Sequence, residues 1–129
     1  MNDDRIVDLY FEYVNNENWD GLGDLLAENC DHRAVGAKPR LGRAAALEYF
    51  RGMFDPWREH HDQPGRRMRG EGCLAIEINF TGTTNANQRV TFEALDVFDI
   101  REGRIARLVT WYDIAHVRRL LSDSGEVKA

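Results

Sequence analysis

One carboxyl group stands on a predicted strand face that is otherwise apolar. Between Val90 and Ile100 the apolar side chains occupy alternate positions, and Asp96 is the exception. Because alternate residues of a strand share one face, Asp96 points with its apolar neighbours toward the core. An unpaired carboxylate there would be strongly destabilised by desolvation, so Asp96 must be paired, hydrogen-bonded or protonated. Asp96 is therefore a functional acid, a carboxyl at a pocket mouth, or the structural partner of an arginine.

A phenol is the second candidate for chemistry. Tyr10 lies on the apolar stripe of the first predicted helix, together with Ile6, Tyr13 and Val14. Its ring can be buried there, but its hydroxyl then needs a hydrogen-bond partner. Most such tyrosines are core residues whose tip reaches water or a carbonyl. The functional alternative is that the hydroxyl donates a hydrogen bond inside a cavity.

Hydrophobic periodicity predicts the elements that position these two side chains. Helices are predicted over residues 3–15, 19–26, 43–55 and 114–121, and strands over residues 30–35, 74–81, 90–100 and 104–112. Pro56 ends the third helix, because proline cannot continue a helix. Residues 36–40 and 85–88 are predicted loops. Residues 60–72 fit no clear pattern, and we expect there a strand that is interrupted near Pro64 and Gly65.

The order of these elements indicates the fold class. The front half is helical and the back half is rich in strands, which predicts an α+β fold with helices on one face of a sheet. A chain of 129 residues is long enough to bury a core of its own. We expect a single domain over residues 1–122 and a flexible tail over residues 123–129.

Composition excludes several classes of function. The net charge of −5 and the pI of about 5.3 argue against nucleic acid or an anionic membrane as a partner. No apolar run is long enough for a membrane span, and the acidic start of the chain has no signal-peptide pattern. Cys30 and Cys73 lie in apolar surroundings without metal-ligand spacing, which favours free thiols in a reducing compartment. We therefore expect a cytoplasmic protein.

Several short segments resemble the nuclear-transport-factor-2-like superfamily, which includes ketosteroid isomerases, SnoaL-like polyketide cyclases and limonene-epoxide-hydrolase-type enzymes. They are residues 6–10 (IVDLY) with 19–21 (WDG), 35–42 (VGAKPRLG), 94–98 (ALDVF) and 102–105 (EGRI). The resemblance covers residues 6–121 and is strongest to ketosteroid isomerase. It implies a cone-shaped, curved, mixed β-sheet with three N-terminal helices enclosing a pocket and a short C-terminal helix. It also implies that Tyr10 and a protonated Asp96 hold the carbonyl oxygen of a substrate.

The chain departs from this family at the general base. The isomerase base is an aspartate just before Pro-Val-Gly, and in the segment DHRAVG that position falls on Arg33. An arginine cannot remove a proton at physiological pH, so steroid isomerisation by that base is not expected. Arg33 either points into the cavity, where it binds an acidic substrate or an enolate oxygen, or pairs with Asp96 or Asp31.

A replacement base must come from another residue. The resemblance to SnoaL-like cyclases, which use an acidic residue near the end of their final strand, implies this role for Asp113. The alternative for Asp113 is the N-cap of the last helix. Asp31 and His32 are the other candidates, and strand alternation places Asp31 on the side of Arg33 and His32 on the opposite side.

The remaining site residues are mostly aromatic. The predicted substrate-binding residues are Asp31, His32, Phe54, Trp57, Phe92, Phe98 and Tyr112. A mostly apolar pocket with two or three polar groups suits a hydrophobic small molecule. His60, His61 and Asp62 are adjacent on an extended segment and point opposite ways, so we do not expect them to chelate a metal. With no phosphate loop, serine elbow or redox cysteine pair, we expect no cofactor.

Three functions fit these residues. The first is cofactor-independent isomerisation or cyclisation of a polyketide-like or terpenoid-like carbonyl compound, with Tyr10 and Asp96 polarising the carbonyl, Arg33 assisting and Asp113 moving the proton. The second is epoxide hydrolysis of the limonene-epoxide type. The third is a non-catalytic module for small-molecule binding or dimerisation, which an Arg33–Asp96 ion pair filling the cavity would favour.

A homodimer is also expected. Strands of this fold usually present an apolar outer face, and the residues that would supply it here are Leu95, Val97, Val109 and Trp111.

Overall fold

The computed structural model of the protein describes residues 2–124, and the side chains of residues 2–122. Four helices lie within this range: α1 (Asp3–Asn15), α2 (Trp19–Leu25), α3 (Arg43–Met53) and α4 (Ile114–Ser124). The six strands are β1 (Leu26–Ala34), β2 (Arg40–Leu41), β3 (Trp57–Gly70), β4 (Cys73–Thr84), β5 (Arg89–Arg101) and β6 (Arg104–Trp111). This is the α+β arrangement that the sequence predicts.

The strands form one mixed, curved sheet in the order β2-β1-β6-β5-β4-β3. β1 runs parallel to β6, and every other pair is antiparallel. On β4 the residues Leu74, Ile76, Ile78 and Phe80 are buried while Glu77 and Asn79 are exposed, as expected when one strand face packs on a core. Helices α1, α2 and α3 contribute the other side of that core.

Asparagine side chains cap the N-termini of the first two helices. The side chain of Asn2 accepts the backbone N–H of Arg5 at 2.8 Å, and Asp3 and Asp4 occupy the first turn, where the helix dipole favours negative charge. The chain then reverses, and the side chain of Asn18 accepts the N–H of Gly21 at 2.9 Å to cap α2. The break predicted between these helices is therefore confirmed.

Some element boundaries differ from the predicted ones. Helix α2 ends at Leu25, and Leu26 is already extended and pairs with Ile105, so β1 begins before residue 30. Helix α3 ends at Met53, before residue 55. Residues 40–41 form a two-residue strand because they pair with Asp31 and His32 of β1. Short pairings of this kind leave no periodic pattern in the sequence.

The irregular segment is one long strand. Residues 57–70 form β3, which pairs with β4 and shifts register between Pro64 and Arg67. Proline lacks the N–H that a ladder requires, so an interruption at this point is physically reasonable. The predicted interruption near Pro64 is therefore confirmed, although the strand is longer than expected.

The last helix is longer than predicted. Helix α4 continues to Ser124, whereas a flexible tail was expected from residue 123, and residues 125–129 lie outside the described residues. Cys30 is buried and Cys73 is partly buried, and both are free thiols. None of the described helices is long and apolar enough to cross a membrane.

Candidate active site

A cavity of about 270 Å³ lies between the helices and the concave face of the sheet. Its walls are mostly apolar and aromatic, with a small number of polar groups. The lining residues are Tyr10, His32, Ala34, Tyr49, Phe50, Met53, Phe54, Pro56, Trp57, Asp62, Ile78, Phe80, Phe92, Ala94, Asp96, Thr110, Tyr112, Val117 and Leu121. This composition is typical of a small-molecule site.

Asp96 reaches the cavity from β5. Its side chain is buried, with 3% of the residue exposed, and the hydroxyl of Thr110 on β6 donates a hydrogen bond to Oδ1 at 2.6 Å. Burial raises the pKa of Asp96 to about 7, and the negative charge of Asp62 raises it further, while the Thr110 hydrogen bond lowers it. Asp96 therefore exists in both protonation states near neutral pH.

Tyr10 reaches the same cavity from α1. Its ring packs edge-on against Phe11, Phe50 and Phe98, and only 4% of the residue is exposed. Burial raises the pKa of Tyr10 well above its usual value, and the charges of Asp96 and Asp62 add to this effect. The hydroxyl is therefore a hydrogen-bond donor at any physiological pH.

Asp62, on β3, is a cavity carboxyl that the sequence analysis did not assign to the site. The side-chain amide of Asn15, at the end of α1, holds the Asp62 backbone from both sides: Asn15 Nδ2 donates to the Asp62 carbonyl at 3.0 Å, and Asn15 Oδ1 accepts the Asp62 N–H at 2.8 Å. Burial raises the pKa of Asp62 to about 6, opposed by the nearby His60 and His61. Because its strand is largely polar, no apolar alternation marked Asp62 as facing inward.

His32 lies on the inner face of β1, as strand alternation predicts. It is 4% exposed, packs against Tyr49 and Phe50, and its Nδ1 is buried without a hydrogen-bond partner. Burial lowers the pKa of His32 to about 4, with a smaller contribution from the positive charge of Arg40. His32 is therefore neutral at physiological pH.

Arg33 and Asp31, predicted as a catalytic and a substrate-binding residue, are not among the residues that line the cavity. Arg33 Nη2 lies 2.5 Å from Asp31 Oδ2, and Arg33 Nε lies 3.1 Å from Asp31 Oδ1. Both side chains point to the opposite face of β1 from His32, because residues 31 and 33 alternate with it. Asp96 takes its hydrogen bond from Thr110, so the Arg33–Asp96 pair that would fill the cavity does not form.

Asp113 is also outside the cavity lining. It is exposed, and its Oδ1 accepts the backbone N–H of His116 at 3.0 Å at the start of α4. This is the geometry of an N-cap, the alternative considered for this residue. Asp113, predicted as the proton-transfer residue, thus lies at the start of α4 and is not among the lining residues.

Four of the five aromatic residues predicted to bind substrate line the cavity, and one does not. Phe54, Trp57, Phe92 and Tyr112 line the cavity, whereas Phe98 is fully buried beneath Tyr10 and belongs to the core. The close approach of the Trp57 ring to β4 depends on Gly82, where a Cβ atom would lie only 2.7 Å from the ring.

The histidine pair of β3 is used in packing. His60 stacks on Phe54 with ring centroids 3.7 Å apart, and its Nε2 lies 3.0 Å from a carboxylate oxygen of Glu17. His61 Nε2 lies 3.1 Å from the side-chain oxygen of Gln63. In the part of the chain that the structure describes, no three His, Cys, Asp or Glu side chains are grouped so that they could hold a metal ion.

The outer face of the sheet differs from the predicted dimer surface. Trp111 is 51% exposed, and Leu95 and Val97 are partly buried, but Val109 is only 2% exposed. Val109 is therefore not available to a partner in this conformation.

The fold is that of a known family. A model of the SnoaL-like domain matches residues 7–108, so the chain belongs to the SnoaL-like domain family. The cone-like fold is that of the nuclear-transport-factor-2 and ketosteroid isomerase group, as the sequence resemblance implied. A comparison of the sequence with curated proteins finds no match.

Three solved structures illustrate the similarity. SalBIII, an epoxide hydrolase/cyclase-like enzyme with a role in pyran ring formation in the polyether salinomycin, is 28% identical, with a TM-score of 0.77 over 87% of this chain and 91% of that one. A candidate polyketide cyclase from Xanthomonas campestris pv. campestris is 22% identical, with a TM-score of 0.80 over 87% and 90%. An epoxide hydrolase of the LEH-like type from M. tuberculosis is 18% identical, with a TM-score of 0.78 over 93% and 89%.

Proposed function

We propose that the protein is a cofactor-independent isomerase or cyclase that acts on a hydrophobic carbonyl compound of polyketide-like or terpenoid-like character. The observation that carries the proposal is the pair of carboxyls, Asp62 and Asp96, in one apolar cavity with the Tyr10 hydroxyl. The pKa of Asp62 is raised to about 6 and that of Asp96 to about 7, so near neutral pH one carboxyl serves as a base and the other as an acid.

The division of roles follows from these surroundings. Asp96 in its protonated form and the Tyr10 hydroxyl donate hydrogen bonds to the carbonyl oxygen of the substrate, where negative charge develops. The Asp62 carboxylate removes a proton from the carbon beside the carbonyl. In isomerisation of an unsaturated ketone, Asp62 returns the proton to the far carbon of the conjugated dienolate, so that the double bond moves. In cyclisation the enolate carbon attacks a second carbonyl carbon, and the oxygen that gains charge takes up the proton.

The apolar walls support this chemistry in two ways. They exclude water from the enolate, and they strengthen the hydrogen bonds of Tyr10 and Asp96, because electrostatic interactions are stronger where water is absent. The neutral His32 adds no charge to the cavity.

The test is hydrogen–deuterium exchange at the carbons beside the carbonyl of cyclohexanone and larger hydrophobic ketones, followed by NMR in D₂O. We expect Asp62→Asn to reduce the protein-catalysed exchange rate by roughly 10²- to 10⁴-fold, the usual contribution of a general base. Asp96→Ala and Tyr10→Phe remove one donor each, and the loss of such a donor costs on the order of 2.7–4 kcal/mol of barrier.

The matched control is Asp99→Asn, because Asp99 lies on the same strand as Asp96 and its carboxyl faces Arg101 on the other side of the sheet. This variant should retain the wild-type exchange rate. Exchange that is equally fast in wild type and Asp62→Asn for every ketone would overturn the proposal.

Epoxide opening is a second candidate, favoured by the 28% identity to SalBIII. The predicted participants Arg33 and Asp113 do not line the cavity, but Asp62 and Asp96 supply the same residue types. Protonated Asp96 would donate its proton to the oxirane oxygen, while the Asp62 carboxylate takes a proton from the attacking water or hydroxyl group. Incorporation of labelled solvent oxygen into the product separates hydrolysis from isomerisation, which incorporates none.

A further inference from the structure

The charge in the cavity lining is of one sign. The only acidic lining residues are Asp62 and Asp96, and none of the lining residues in the described part of the chain is a lysine or an arginine. Two arginines on β1 and β2 bind other partners. Arg33 pairs with Asp31, and the Arg40 guanidinium lies over the Tyr49 ring at 5.0 Å from its centroid. The cavity therefore contains carboxyls without a counter-ion in its walls.

The other groups that line the cavity do not supply one. The titratable groups lining the cavity besides the two carboxyls are Tyr10 from α1, His32 from β1, Tyr49 from α3 and Tyr112 after β6. The tyrosines and His32 are neutral at physiological pH, because burial raises the pKa values of the phenols and lowers that of His32 to about 4. Outside the lining, His60 and His61 on β3 lower the pKa of Asp62, and Arg118 on α4 lowers that of Tyr112.

An unpartnered polar atom also borders the cavity. The Nδ1 atom of His32 belongs to a residue that is only 4% exposed, and it has no hydrogen-bond partner. Tyr10, which is also 4% exposed, lines the same cavity. Much of the remaining lining is aromatic, and aromatic rings attract cations, particularly when water is excluded. These rings are those of Tyr49, Phe50, Phe54, Trp57, Phe80, Phe92 and Tyr112.

We infer that this cavity binds protonated amines carried on a hydrophobic ring or chain, in preference to neutral or anionic compounds of the same size. An ammonium group supplies the missing positive charge to Asp62 and Asp96 and donates hydrogen bonds to their free oxygens. Its hydrocarbon part packs on the aromatic walls. An anionic compound would meet two carboxyls and no cation, so the same walls exclude it.

The inference concerns binding and does not require a reaction. Its meaning for catalysis rests on the second candidate function, epoxide opening: acid-initiated opening of the ring places positive charge on carbon, and the same carboxyls and aromatic rings would stabilise that charge. Amines would then act as inhibitors that resemble the charged intermediate.

The pH dependence separates this mode of binding from that of a ketone. A cation favours the ionised carboxyls, so ammonium binding releases protons and strengthens as pH rises from 5 to 8. A neutral ketone accepts a hydrogen bond from protonated Asp96, so its binding weakens over the same range. The two ligand classes therefore give trends of opposite sign.

The experiment is isothermal titration calorimetry of the full chain at pH 5 and pH 8 with three six-membered rings: cyclohexylammonium, cyclohexanone and cyclohexanecarboxylate. Rings of this size fit, since a cavity of about 150 Å³ already accepts benzene. We expect cyclohexylammonium at pH 8 to bind at least tenfold more tightly than either other ring, and tenfold more tightly than at pH 5.

Variants locate the effect. Asp62→Asn and Asp96→Asn should each weaken ammonium binding at pH 8 by at least tenfold, while Asp99→Asn on the outer face leaves it unchanged. Circular dichroism establishes that each variant is folded. Because two carboxyls are tested separately, misfolding of one variant leaves the other as a test.

Equal or tighter binding of cyclohexanone at pH 8, or ammonium binding that survives both Asn substitutions, overturns the inference. If ammonium fails to bind while ketone exchange is catalysed, the inference falls and the proposed function stands. If ammonium binds as expected and no ketone exchanges, the inference stands and the proposed function falls.

Discussion

Replacement of Asp96 by asparagine should change how the stability of the protein depends on pH. The amide has the shape of the acid, and its oxygen can still accept the hydrogen bond of Thr110, but it carries no titratable proton. The substitution therefore removes the charge and leaves the packing in place. Because the residue is almost fully buried, solvent screening takes little away from the effect.

The magnitude follows from the pKa difference. Burial raises the pKa of Asp96 to about 7 in the folded protein, against about 3.9 in an unfolded chain. Between these values the folded state binds a proton that the unfolded state has lost, so the free energy of unfolding falls as pH rises. At about 1.36 kcal/mol for each pH unit, the wild type loses about 4 kcal/mol between pH 4 and pH 8 through this residue.

Urea denaturation at pH 4 and pH 8 measures the effect. We expect Asp96→Asn to be close to wild type at pH 4 and more stable than wild type by up to about 4 kcal/mol at pH 8. Asp62 contributes with the same sign in both proteins, so the difference between them isolates Asp96. Asp99→Asn should follow the wild-type curve. Parallel curves for wild type and Asp96→Asn would refute the assignment of Asp96 as a buried acid.

Three further expectations test the supporting contacts. Thr110→Val removes the hydrogen bond that stabilises the charged form of Asp96, so carbon NMR of the carboxyl should give a higher pKa than in the wild type, and an unchanged or lower value would contradict this. Asn15→Ala removes two hydrogen bonds to the Asp62 backbone and should lower the free energy of unfolding by about 1–3 kcal/mol, whereas an unchanged urea midpoint would show that the pair is not stabilising. If the exposed Trp111 forms a dimer contact, light scattering at micromolar concentration should give a dimer for the wild type and a monomer for Trp111→Asp, and a wild-type monomer would exclude this.

The sequence predicted Asp96 because a strand has a strict period. Alternation over β5 fixed the face of every residue from 90 to 100, and the single carboxyl on the apolar face had to be buried. Tyr10 was predicted in the same way from the period of α1. In both cases a strongly apolar background made the polar exception visible.

Asp62 could not be predicted by that argument. Its strand carries charged or polar side chains at most positions, because β3 lies at the edge of the sheet and only part of its inner face is covered. The register that turns Asp62 inward is set by pairing with β4 and by the Asn15 side chain, 47 residues away in sequence. Contacts of such sequence separation leave no local pattern.

The second carboxyl of the site, Asp62, lies on β3, and no carboxyl of β1 lines the cavity. The family resemblance places the base near residue 33, but Arg33 and Asp31 pair with each other on the outer face, and the inner face carries the neutral His32 and the small Ala34. The inner face of β1 therefore carries no carboxyl in the lining, while the edge strand β3, four strands away from β1 in the sheet order, does. Helix α1 contributes to both parts of the site, since it carries Tyr10, which lines the cavity, and Asn15, which binds the Asp62 backbone. A shift of α1 would therefore displace the phenol and break the Asn15 contacts to Asp62 together, while the pairing of β3 with β4 would still hold the Asp62 backbone in register.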